Sequence, residues 1–307
     1  MKRLGKYFTL LKKAAIAFVE DNALKLSASL SYYMVFALGP IIMMVISLAG
    51  SIFNRQDVQA KVYGEMGKLL GPEAAQQIEA IIRNTQNPSD STAGTIIAAV
   101  ALFFGATGVF GEIQDSINYI WSVKAKPKKG WLRFLINRLL SFSIIISMGF
   151  ILLVALMINT LMNLLSDRLE KLFSEGTVYI FYTVNQLLIF VVITLLFAAI
   201  FKVLPDAKIK WKDAFVGAGF TAVLFLAGKF VIGYYLAKTN IGIVYGTAAS
   251  IIFILLWVYY SSVILYFGAE FTRMYAIMMG SGVVPDKTAV FIIKREAKEI
   301  PESYLDT

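Results

Sequence analysis

Six long apolar stretches constrain what this chain can fold into more than any other feature. They cover about 28–52, 92–118, 134–162, 177–201, 213–237 and 243–272. At about 1.5 Å of rise per helical residue, each is long enough to cross a hydrocarbon core about 30 Å thick. Lipid offers a backbone no hydrogen-bond partner, so only helices and closed barrels span it. Barrel strands would be near ten residues and would alternate apolar with polar; these runs are too long and too evenly apolar. The expectation is an all-α polytopic membrane protein with six transmembrane helices. Composition agrees: 16% of residues are charged, where a soluble domain has about a quarter.

Charge placement orients the spans. The segment up to residue 27 holds Lys2, Arg3, Lys6, Lys12, Lys13 and Lys25, and the second connection holds Lys124, Lys126, Lys128, Lys129, Arg133 and Arg138. The fourth connection adds Lys202, Lys208, Lys210 and Lys212, and the tail is basic as well. The remaining connections carry fewer bases, offset by acids such as Asp57, Glu65, Glu79 and Glu175. This alternation predicts both termini in the cytoplasm. It also accounts for the net charge of +9 without nucleic acid as a partner.

Three regions follow. Residues 1–27 read as a retained cytoplasmic or interfacial helix, because Lys12, Lys13 and Glu20 interrupt what would otherwise resemble a signal peptide. Residues 28–275 form the transmembrane domain, and 276–307 form a cytoplasmic tail. The extracytoplasmic loop 53–91 should contain two amphipathic helices. The first carries Val58, Val62, Met66 and Leu69 at helical spacing; the second opens near Pro72. Pro40 predicts a kink in the first span.

Four charges remain in or at the ends of spans: Glu112, Asp115, Lys229 and Glu270. Intramembrane charges are costly and usually face a protein interior or a wet cavity. Lys229 either snorkels outward or meets an anionic head group. Glu112 and Asp115 share a helix face just after Gly105, Gly108 and Gly111. Those glycines form either a close-packing seam or a break in the helix. The two acids either mark where the helix leaves lipid or line the inner mouth of a pathway. Glu270 is placed to pair with Arg273 at i,i+3. Tyr32 and Tyr33 open the first span and Tyr245 the sixth, where an interfacial belt would suffice; Tyr259 and Tyr260 lie deeper, as packing or as a polar cavity wall.

"ALKLSASLSYYMVFALGP", "VFGEIQDSINYIWSV", "LPDAKIKWKDAFVGAGF" and "IVYGTAASIIFILLWVYYSSVILYFGAEFTR" together resemble the YihY/BrkB-like family of bacterial inner-membrane proteins. The resemblance covers nearly the whole chain, in order. It implies six transmembrane helices with cytoplasmic termini, and it marks Gln114, Asn118, Trp121, Gly217, Gly268 and Glu270 among the family's typical positions. It identifies no catalytic residue; a ribonuclease label on some members looks like misannotation, and others are associated with serum resistance or envelope lipid export. Where such proteins often read "PGA", this chain has "VGAGF", which bears on helix geometry.

Three functions compete. The first is a transporter, or a lipid flippase or scramblase-like protein, for an amphipathic or anionic envelope-related substrate. Its path would use Lys229, Glu112, Asp115, the five tyrosines, Glu270 and Arg273. The second is a membrane scaffold or envelope assembly factor. The third is a membrane-bound hydrolase or nuclease, which needs Glu112, Asp115 and Glu270 to converge on a metal. The chain has no His and no Cys, and no ATP-binding loop or other cofactor motif is visible, so the expectation is no enzyme activity and no cofactor. Expected partners are membrane lipids or the substrate; small-residue seams leave room for a homo-oligomer or an envelope protein.

Overall fold

The computed structural model of the protein describes residues 2–50, 54–70, 79, 108–126, 175–238 and 249–294. Within these the chain is largely helical. Its helices are α1 (Lys2–Glu20), α2 (Ala23–Gly50), α3 (Arg55–Leu70), α4 (108–120), α5 (Glu175–Val203), α6 (Trp211–Lys238) and α7 (Ala249–Met279). Four short strands lie between and after them: β1 (Val123–Ala125), β2 (Ala207–Lys208), β3 (Val284–Pro285) and β4 (Ala289–Phe291). The expected third span, most of the second, the second loop helix and the tail beyond 294 lie outside the described residues.

Three helical stretches among the described residues are long and apolar enough to cross a membrane: Thr183–Val203, Trp211–Ile232 and Ile254–Met279. All are apolar around most of their circumference, as a helix immersed in lipid must be. Two charged side chains stand at helix ends where the dipoles favour them. Lys202 closes α5, where a cation meets the negative end of the helix dipole. It donates to the Ile209 carbonyl and lies 5.8 Å from the centroid of the Trp211 ring. Asp213 sits in the first turn of α6, at the positive end of that dipole.

α7 packs against α1, α2 and α6, and α6 also packs against α5. A single core cluster joins them, with Phe18, Leu30, Ile117, Trp121, Phe201, Ala218, Leu265 and Ala269 among its members. The break between α1 and α2 falls at Asp21–Asn22, where Asn22 adopts a left-handed φ of 52° and its carbonyl accepts from Lys25 and Leu26. α2 thus starts ahead of the apolar run beginning near 28, and it stays helical through Pro40. At the other end of α2, Asn54 Oδ1 caps α3 by accepting from the Gln56 amide at 2.9 Å. Val58, Val62 and Tyr63 of α3 then pack on Ile46, Ile254 and Val258.

The α6–α7 crossing is antiparallel and very close. A Cβ added to Gly217 would lie 1.9 Å from Thr272 Oγ1, and one added to Gly268 would lie 2.0 Å from Thr221 Oγ1. Each threonine hydroxyl donates to the glycine carbonyl four residues before it on its own helix, Thr221 to Gly217 at 2.8 Å and Thr272 to Gly268 at 2.6 Å. The two Gly-x-x-x-Thr segments therefore interlock reciprocally, each threonine covering the other helix's glycine. Such small-residue contacts let helices approach where no hydrophobic effect drives them together. Further along, the Tyr260 hydroxyl lies against Gly228.

Both strand pairs stand at one end of the bundle. β1 pairs antiparallel with β4, with Ala125 opposite Ala289, and β2 pairs antiparallel with β3, with Lys208 opposite Val284. Segments following α4, α5 and α7 are thereby sewn together. α7 ends against the start of α6: Asp213 Oδ2 accepts from the Ser281 amide at 3.1 Å and its hydroxyl at 2.8 Å. Gly282, at φ 79°, lets its amide turn back to the Ala276 carbonyl at 2.8 Å.

Candidate functional site

The densest polar chemistry lies at this sewn end. Trp121, 1% exposed, is wedged between α4 and α7 and donates its indole N–H to the Ala269 carbonyl at 3.1 Å. Asn118 and Asp206 exchange a reciprocal pair. Asn118 Nδ2 donates to Asp206 Oδ2, and the Asp206 amide donates to Asn118 Oδ1, each at 2.8 Å. Gln114 Nε2 adds a third bond to Asp206 Oδ2 at 3.2 Å. Asn118 and Gln114 are one helical turn apart, so a single face of α4 holds the α5–α6 connection.

A second group contains four charges from three distant parts of the chain. Arg273 Nη1 lies 3.6 Å from Asp21 Oδ2 and 3.8 Å from Glu270 Oε2, while its Nη2 donates to Ser122 Oγ at 2.9 Å. Lys294 Nζ donates to Asp21 Oδ2 and, at 3.3 Å, to the Ile120 carbonyl, and it rests 4.3 Å from the Tyr119 ring centroid. Two acids thus face two bases. Burial pulls the Lys294 ammonium below its usual pKa, and the Asp21 carboxylate opposes that shift. Glu270 is fully buried with Asp21 as its acidic neighbour, and neither of its oxygens accepts a hydrogen bond among the described residues. The i,i+3 spacing of Glu270 and Arg273 brings them together, but Arg273 makes its shorter contacts elsewhere.

Glu112 is half-buried and Asp115 exposed on α4, and Asp115 lies near both Glu112 and Asp206. Their buried neighbour Tyr266 has Ser116 beside its hydroxyl, yet that hydroxyl has no hydrogen-bond partner among the described residues. Among the described residues no three acids are gathered as metal ligands; Glu270 faces Asp21 and Arg273. Gly108 has nothing within 4 Å of where a Cβ would stand, whereas Gly217, Gly228, Gly268 and Gly280 are closely approached. Gly105 and Tyr245 lie outside the described residues.

Lys229 stands apart from both groups. It is exposed on α6, followed by Phe230 and Val231, which are 76% and 66% exposed. Tyr32 and Tyr33 are exposed on α2, their rings edge to face at 6.0 Å. Tyr259 and Tyr260 are half-buried on α7. The candidate residues are thus divided between one sewn end and open helix faces along the spans. Sequence reasoning missed Asp21, Lys294 and Asp206, whose partners are far away in the chain. The resemblance had marked Gln114, Asn118 and Trp121 without giving them a role.

A sequence profile for the virulence factor BrkB family matches residues 15–289. A UPF0761 membrane protein of a Psychrobacter species is 25% identical over 281 residues, covering 91% of this chain and 50% of that protein. Another, from Saccharophagus degradans, is 28% identical over 89% of this chain and 60% of its own length. A third, from Pseudomonas paraeruginosa, is 28% identical over 82% and 59%. The chain therefore spans about half to three-fifths of the length of these curated relatives. No solved structure matches it.

Proposed function

This chain belongs to the virulence factor BrkB family, and from that premise we propose that it moves an amphipathic or anionic envelope-related molecule through the bacterial cytoplasmic membrane. The observation that carries the reading is Lys229, an exposed cation on an apolar spanning helix beside exposed Phe230 and Val231. A headgroup sliding along that face would meet one positive charge while its tails stayed in lipid. The reading involves movement and no bond-breaking step, so the chain acts without enzyme activity.

The same proposal includes six spans with both termini in the cytoplasm. The sewn end supports it through parity. Asp21, β1, β2 and the β3–β4 segment meet on one side, so an even number of crossings separates each from the next. α6 and α7 supply one pair; α2 and α5 each need one returning span, for which 92–118 and 134–162 are the apolar stretches available. The two basic connections and both basic ends then share the cytoplasmic side.

A scaffold or assembly role is the second reading. It is favoured by the local pairing of Asp21, Arg273 and Lys294. Fluorescent phospholipid reporters in reconstituted vesicles separate the two. Transport predicts faster leaflet exchange than in empty vesicles, slowed several-fold by Lys229→Ala for anionic lipid and less for zwitterionic lipid. Exchange no faster than in empty vesicles would sink lipid movement.

A further inference from the structure

α1 has three faces, and only one of them is used by the bundle. Leu10 and Ala14 pack on Phe271 and Tyr275 of α7, and Phe18 packs into the main core. The neighbouring face carries Phe8, Leu11, Ala15 and Val19, all exposed, with Phe8 at 73% and Val19 at 70%. At about 100° per residue these four positions fall within an arc of roughly 80°. The third face carries Lys6, Lys12 and Lys13, all exposed, with Glu20 as the one acid in the helix.

Water would not favour that apolar arc, and the bundle does not cover it. It lies beside the face held on α7, a membrane-crossing helix, so the nearest apolar medium is the acyl layer. Lys12 borders the arc on its outer side, and Lys13 and Lys6 follow further round the helix, beyond Ile16, which is 47% exposed. A helix with this arrangement lies in a bilayer surface with its apolar face down and its bases among the headgroups.

We propose that α1 is a binding surface for anionic phospholipid headgroups, with Lys6, Lys12 and Lys13 as the headgroup contacts and Phe8, Leu11 and Val19 as the buried edge. The proposal rests on the chain lying in a membrane and not on transport. Charge complementarity selects the lipid: a basic ridge beside an apolar arc fits phosphatidylglycerol better than a zwitterionic surface. Because α1 is held to α7 and ends at Asp21, the bound leaflet is mechanically joined to the four-charge group.

The test uses the absence of cysteine in the chain. The full-length Ala15→Cys protein, labelled with an environment-sensitive fluorophore, is reconstituted into vesicles of phosphatidylcholine with zero to 30 mol per cent phosphatidylglycerol (about the range in which surface charge builds up). Brominated acyl chains serve as quenchers. Quenching should rise with phosphatidylglycerol. The triple variant Lys6→Gln, Lys12→Gln, Lys13→Gln should need at least about tenfold more anionic lipid for the same quenching. Salt near 1 M should reproduce that loss, since the screening length falls to about 3 Å. The triple Lys→Arg variant should behave like the parent, which separates charge from any effect on folding. Equal quenching with and without phosphatidylglycerol, or a triple Gln variant indistinguishable from the parent, would overturn the proposal.

Discussion

Gly217 and Gly268 show how little room single residues have here. A methyl group at position 268 would overlap the Thr221 side chain, and overpacking of this kind costs about 1–3 kcal/mol. Gly268→Ala should therefore lower the unfolding temperature in detergent, and Thr221→Ala in the same chain should restore part of the loss, with a coupling of about 0.5–3 kcal/mol. Glycines were legible in the sequence, but the partner surface decides which of them matter. The Gly105–Gly111 run has the more regular spacing, yet Gly108 meets nothing within 4 Å. Glu270 and Arg273 were readable as neighbours because three residues on a helix fix their relation. Asp21 and Lys294 were not, being 273 positions apart. Asp21→Asn should cost about 2 kcal/mol, the scale of a charge-assisted hydrogen bond in a partly buried site. Combined with Lys294→Gln it should cost less than the two changes summed, as thermal unfolding of both single variants and the double would show.

Apolar length made the spanning helices readable as elements, since length and hydropathy are properties of the local sequence. The strands were not foreseen. Two or three residues carry no periodicity to read, and β2 and β3 exist because each finds the other. Such short ladders should open locally before the helices do. The Lys208–Asp286 ion pair, 2.9 Å long, spans the β2–β3 pair. Its hydrogen bond, followed by the Lys287 amide, holds the Asp286 carboxyl below its ordinary 3.8. A lowered acid contributes fully above its unfolded value and loses that contribution as pH falls through the folded one. Protection against hydrogen exchange across residues 206–208 and 284–287, referred to the intrinsic rate at each pH, should therefore fall below about pH 4, by a small factor because the pair is exposed. Asp286→Asn should remove that dependence on acid while leaving exchange within α6 and α7 unchanged.

For the molecule as a whole, the sewn end is the feature on which topology depends. Ala125 and Ala289 stand opposite each other across β1 and β4, and facing residues in antiparallel strands have Cα atoms about 4.5–5.5 Å apart, within disulfide range. The double variant Ala125→Cys, Ala289→Cys should close a disulfide under mild oxidation, detected as a mobility shift that reductant reverses. Failure of the pair to form in membranes would undo both the register and the parity on which the proposed six spans rest. The lysine-rich connections pointed to a shared side, but no pattern in them said that they would touch. The tail that fastens them also sets a schedule. β4 leaves the ribosome about 160 residues after β1, which at 5–20 residues per second is a delay of roughly 8–30 s. Throughout that interval the nascent helices already in the bilayer lack this stitch, so the order of synthesis leaves the strand pair open until β4 emerges.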